Sequence, residues 1–262
     1  MASPENVLVV EGPPPQGVGL AQRLRGAGFR AVRAKTTDEA LERVADPRFR
    51  VRAALVPPDL PVVDLAAALA SLRARAAEKR LELVVAGGRP GSDLLGQLRQ
   101  AGVELALWEP FSDAALRFQL NRALDADPHA RERSGPRAPV SRQVRVLRRN
   151  GVKPALLYTL SSAGAYLETS RPAPPGSEVT LELVLPESDV TAEARVLYTN
   201  VPGNLRRHNL PMGMGVQFTR LSPEGLGAVE TCVRAAASAL AVAPGRADAE
   251  RSWLRCLVPP RP

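Results

Sequence analysis

The chain of 262 residues is predicted to fold as α/β plus β: a doubly wound (βα)5 parallel sheet, then a six-stranded antiparallel β-barrel closed by a C-terminal helix. Three observations predict this. Strand-like and helix-like segments alternate five times across residues 6–123, the order of a parallel sheet with crossover helices. From Arg142 the pattern changes to six short runs that alternate apolar and polar residues, as strands of a small barrel do. Between the two patterns, Asp125-Ala126-Asp127-Pro128-His129 breaks any helix with proline.

The first pattern starts with Val7-Leu8-Val9-Val10, a β-branched run of the kind buried on both faces of a parallel sheet. Val18, Ala21 and Leu24 then recur at helical spacing, with Gly26 and Gly28 as a stop. Phe29 to Val32 is the second strand. Thr36 and Glu39 form a capping box ahead of Ala40, Leu41 and Val44. Val51–Val56 is the third strand, Leu65–Lys79 the third helix and Leu81–Val85 the fourth strand. A helix around Asp93–Ala101 follows, then the strand Leu105-Ala106-Leu107 and a last helix capped by Ser112. Core packing is the expectation for Trp108, and Glu109-Pro110 is a candidate cis bond.

The second pattern reads as strands at Gln143–Arg149, Ala155–Tyr158, Ala165–Glu168, Glu178–Leu185, Thr191–Tyr198 and Met214–Phe218. Alternation through Val179, Leu181, Leu183 and Leu185 implies one buried face. Ser222-Pro223-Glu224 looks like an N-cap with proline at the first helical position, opening a helix that runs through Leu240. The expected division is 1–124, a linker and arginine loop at 125–141, a barrel at 142–240 and a tail at 241–262, in which Trp253 and Leu254 could dock on the barrel.

Composition excludes several classes. Cys232 and Cys256 are the only cysteines, too few for a disulfide framework or a metal site. No apolar run approaches the roughly 20 residues of a spanning helix, and Met1-Ala2-Ser3-Pro4-Glu5 lacks the pattern of a signal peptide. A cytoplasmic location without membrane insertion is expected. No nucleophile–base pair is evident, so an enzyme is not expected. Net charge is +8, and residues 131–153 hold eight Lys/Arg against Glu132 alone. Such a patch suits an anionic partner. Aromatic residues at 4% and the lack of a recognition helix argue against nucleic acid.

Within the patch, Arg133 and Arg137 flank Gly135 and Pro136, which oppose a helix, so the pair belongs to an extended loop. Guanidinium groups fork onto phosphate oxygens and stack on π-faces. A ligand that is both anionic and aromatic is a nucleotide. Farther on stands Thr159-Leu160-Ser161-Ser162-Ala163-Gly164, and later Gly213-Met214-Gly215-Val216-Gln217-Phe218.

Arg133-x-x-x-Arg137, a following strand and a Thr159-x-Ser161-x-x-Gly164 turn resemble the PilZ domain, a family of small barrels many of which bind cyclic di-GMP. The resemblance covers roughly residues 131 to 240, taking Gly213–Phe218 as the family's late strand. It implies that Arg133 and Arg137 hold guanine edges and phosphates, that Ser161 meets the guanine edge and that Gly164 keeps the turn compact. Thr159 stands where the family has Asp or Asn, so one carboxylate or amide acceptor is replaced by a hydroxyl. No cofactor beyond the cyclic di-GMP ligand is implied. An adaptor that has lost the ligand and works by protein contacts is the alternative.

The N-terminal order resembles the receiver domain of response regulators. The acidic pair after a receiver's first strand is here Glu11-Gly12; the acceptor position falls on Pro57, the hydroxyl position on Ala86, and the lysine before Pro-Phe is Glu109. The resemblance thus implies a phosphorylation-incompetent pseudo-receiver, with Asp59 the nearby substitute, that docks a protein partner. The helix after Gly91, the strand at Leu105 and the helix from Ser112 would form the docking face, and pairing into a homodimer there is compatible with it.

Overall fold

The buried apolar runs form the strands of the molecule. The computed structural model describes residues 4–11, 19–77, 80–124, 136–148, 151–205 and 209–242, and the chain divides into two units, one made of residues 1–130 and 240–245, the other of 131–239 and 246–262. In the first unit, strands β1 (Asn6–Val10), β2 (Arg30–Ala34), β3 (Ala53–Val56), β4 (Glu82–Gly87) and β5 (Leu105–Trp108) form one parallel sheet in the order β2-β1-β3-β4-β5. That is the doubly wound order expected from the alternation. β3 and β5 are buried at every residue, which is why both read as unbroken apolar runs.

Helices α1 (Leu20–Gly26), α2 (Thr37–Ala45), α3 (Leu65–Arg75), α4 (Ser92–Gln100) and α5 (Asp113–Leu124) cover the sheet, α1 beside α5 and α3 between α2 and α4. Their starts follow the caps. The Thr36 hydroxyl accepts from the Glu39 amide at 3.1 Å, while Glu39 Oε2 accepts from the Lys35 amide at 2.9 Å, one residue earlier than a reciprocal box would place it. Asp64 accepts from Ala67 and Ser112 from Ala115 at the starts of α3 and α5. Trp108 is buried in the core, and Glu109-Pro110 is cis.

Thr36→Ala is expected to destabilise the first unit by about 1 kcal/mol in urea unfolding. The Lys35 amide, then Arg43, holds the Glu39 carboxylate below its ordinary value. A depressed folded pKa contributes stability that is whole above the unfolded value and lost as pH falls through the folded one. The midpoint should therefore drop on acidification, and Glu39→Gln should flatten that dependence.

In the second unit β6 (Arg137–Arg148), β7 (Gly151–Ser161), β8 (Gly164–Glu168), β9 (Glu178–Val184), β10 (Asp189–Asn200) and β11 (Gly213–Leu221) close a barrel in the order β10-β11-β8-β7-β6-β9. Leu157, Leu160, Leu181, Leu183, Val196 and Val216 fill it. Helix α6 (Pro223–Ala239), capped where Ser222 Oγ accepts from Gly225 at 3.0 Å, adds Val229, Cys232, Val233 and Ala236 to the same core.

Two stretches depart from the expected bounds. Residues 137–141, read as the end of the arginine loop, are the first part of β6: Arg137, Ala138 and Pro139 pair with Ser161, Leu160 and Thr159. Proline is tolerated there because the ladder is interrupted by a register shift between Pro139 and Arg142. Leu240–Val242, expected at the end of the barrel and the start of a tail, belong instead to the first unit, where Val242 is fully buried. Trp253 and Leu254 lie outside the described residues.

Candidate functional site

Alternation fixes which side chains share the outside of the barrel. Ala138, Leu160, Ala165 and Val216 point into the core, so their neighbours Arg137, Ser161, Gly164 and Gln217 point outward. The register then sets them side by side: Arg137 opposite Ser161, Ser161 opposite Gly164, Gly164 opposite Gln217, and Gln217 opposite Arg195. One row across five strands thus carries an exposed arginine at either end, with buried Ser161 and Gly164 between. The next row holds Pro139, Thr159, Tyr166, Gly215 and Tyr198.

The turn is a tight hairpin of Ser162 and Ala163 between paired Ser161 and Gly164. Ser161 Oγ donates to the Gly164 carbonyl at 3.0 Å, leaving its lone pairs as acceptors. The Phe218 amide donates to the Ala163 carbonyl at 3.0 Å, fastening the turn to β11. A Cβ on Gly164 would lie 2.2 Å from the Val216 carbonyl oxygen, so only glycine fits. Its φ is not in the left-handed region; close approach, not backbone conformation, sets the requirement.

The second row supports the first. Tyr158 and Tyr166 meet edge to face at 5.8 Å between ring centres, and Tyr198 lies 6.1 Å from Tyr166. Gly215 gives Tyr198 its place: a Cβ there would lie 2.4 Å from the ring. Tyr166 donates to the Pro211 carbonyl at 2.7 Å, and buried Asn200 donates to the Leu210 and Pro211 carbonyls. These bonds hold the connection between β10 and β11 across that end of the face. Thr159 is 4% exposed beside this cluster.

Four of the five sequence-derived residues, Arg137, Thr159, Ser161 and Gly164, are therefore neighbours on one outer surface. Arg133 lies outside the described residues. Gln217 and Arg195 extend the row and were not singled out from the sequence; Gln217 lies within the Gly213–Phe218 motif, but nothing in the sequence links Arg195 to it. Among the described residues no cluster of His, Cys, Asp and Glu could hold a metal, and no helix is long and apolar enough to cross a membrane.

A doubly wound unit in the strand order β2-β1-β3-β4-β5 and a six-stranded barrel whose outer face carries an arginine–serine–glycine row make this an α/β plus β-barrel protein of two domains. Its barrel is a PilZ domain: residues 131–235 match that family's model. Among solved structures the chain is similar to the receiver domain of a sensor histidine kinase from Pseudomonas aeruginosa, at 25% identity and TM-score 0.42 over 47% of this chain and 99% of that one. It is also similar to a signal receiver domain of an HD domain-containing protein from Pseudomonas fluorescens, at 21% identity and TM-score 0.42 over 51% and 96%. The inhibitor of motility from Bacillus subtilis is 18% identical, with TM-score 0.33 over 38% of this chain and 48% of that one. No curated protein matches.

Proposed function

We propose that this is a non-catalytic cytoplasmic signalling protein whose barrel binds cyclic di-GMP on its outer face, through Arg137, Thr159, Ser161 and Gly164 together with Arg133 of the preceding loop. The observation that carries the reading is the direct cross-strand pairing of Arg137 with Ser161, next to the hairpin closed by Gly164. An arginine fork matches guanine O6 and N7 or a phosphate, and the Ser161 oxygen offers a short acceptor for the guanine edge. Gly164 leaves the surface flat enough for a ring to lie on it.

The receiver-like unit acts by protein contacts rather than by phosphoryl transfer. Pro57, at the end of β3, is buried and carries no nucleophile, Ala86 supplies no hydroxyl, and Glu109 puts a negative charge where a lysine would neutralise a phosphoryl group. Asp59 is exposed in the following turn.

Titration calorimetry with cyclic di-GMP tests the first part. Saturable binding is expected, and absence of heat at high micromolar ligand would remove it. The adaptor reading, in which the ligand has been lost, is favoured by one observation: Thr159 stands buried between Pro139 and Tyr166 with only a hydroxyl to offer. Thr159→Asn supplies an amide acceptor and donor and is expected to tighten binding about tenfold, the worth of one further hydrogen bond of about 1.4 kcal/mol. A chain that binds only after this substitution would be the adaptor.

A further inference from the structure

Helix α6 ends at Ala239, and the next three residues run along the free side of β5. Leu105 pairs antiparallel with Ala241. The Ala106 amide donates to the Leu240 carbonyl at 3.0 Å, and the Val242 amide donates to the Glu104 carbonyl at 3.1 Å. Two side chains of the first unit complete the hold. Gln119 of α5, with no exposure, donates from Nε2 to the Leu240 carbonyl at 2.6 Å and to the Ala106 carbonyl at 2.9 Å. Trp108 donates from Nε1 to the Ala241 carbonyl at 3.3 Å. Val242 is buried among the same core residues as Leu83, Leu98, Ala106 and Trp108.

β5 is otherwise an edge of the sheet. Its sequence is Leu-Ala-Leu-Trp, with no charge, proline or bulge of its own, and an edge of that kind is a template for another strand. A second copy of this chain presents the same edge, and two such edges can pair antiparallel about a two-fold axis. A buried glutamine that spends both amide hydrogens on the join is a polar group placed for this contact, since without the segment one of them would lose its partner.

We propose that the β5 edge is a strand-acceptor site, that Leu240–Val242 is its occupant within the chain, and that this occupancy withdraws β5 from pairing with the β5 of a second copy. The guard is short, so its hold depends on Val242 and Gln119 as much as on the ladder.

The test uses the full-length protein. Val242→Asp puts a charge where the core is closed, and Gln119→Met removes the two side-chain hydrogen bonds at similar volume, which keeps the question answerable if the aspartate prevents folding. Hydrogen exchange read by mass spectrometry is expected to show the Ala106 amide exchanging about tenfold faster or more, as opening becomes easier by about 1.4 kcal/mol. Sedimentation velocity is expected to show association that grows with concentration beyond that of the unaltered chain. Unchanged protection at Ala106 in the folded variants, or faster exchange without any added association, would overturn the proposal.

Discussion

Replacing Gly164 by alanine should destabilise the barrel by about 2–4 kcal/mol, while the same replacement at Gly227 should leave it unchanged or slightly more stable. The contrast isolates geometry from chemistry. At Gly164 the added Cβ would meet backbone, 2.2 Å from the Val216 oxygen and 3.1 Å from the Gln217 Cα. Backbone cannot rotate away as a side chain can, so β8 and β11 must part where Gly164 faces Gln217 and Ala165 faces Val216. The Phe218-to-Ala163 bond is lost with them, and a buried backbone group left unpaired costs about 1–3 kcal/mol. At Gly227, exposed within α6, nothing lies within 4 Å, and alanine is the better helix former by up to about 1 kcal/mol. Scanning calorimetry of the two variants decides: similar transition temperatures would mean that β8 and β11 are not so closely apposed. Because the effect is on folding, loss of ligand binding in Gly164→Ala would not by itself assign a recognition role.

How far the sequence could reach follows from the same physics. The five βα units were legible because strands buried on both faces must be apolar throughout, as β3 and β5 are. The barrel strands were legible because one face is wet, as the alternation of β9 shows. The extension of the outer row to Gln217 and Arg195 was not, since side-by-side placement depends on register, and bulges between Pro139 and Arg142, Leu157 and Thr159, and Val196 and Tyr198 each slip it. Counting by twos along Arg195 could not have brought it beside Gln217. The early start of β6 was hidden by Pro139, which ordinarily argues against a strand. The guard segment was hidden for a simpler reason: three residues have no period to read, and their partner β5 lies more than a hundred positions earlier.

Arg137→Ala should weaken cyclic di-GMP binding about tenfold to a hundredfold, with Arg137→Lys falling between it and the unaltered chain. The magnitude follows from one charge-assisted hydrogen bond of about 1.5–3 kcal/mol. Among the described residues, two other arginines on the barrel exterior are held by carboxylates, and Arg137 is not. Arg145 is engaged by Glu182 at 2.6 Å and Arg195 lies 3.7 Å from Glu178, whereas Arg137 has no carboxylate partner among the described residues. A lysine keeps the charge and loses the planar fork and the stacking face. If the site reads a guanine edge or stacks on a base, Arg137→Lys should therefore lose most of the affinity at every salt concentration. If it meets phosphate alone, the lysine should retain most of it, with the affinity of both falling as salt rises. Arg137 is exposed at the start of its strand, so its replacement leaves the fold intact and calorimetry reads recognition directly. An unchanged dissociation constant for Arg137→Ala would sink the outer-face site, because that site is built on the cross-strand pairing of Arg137 with Ser161.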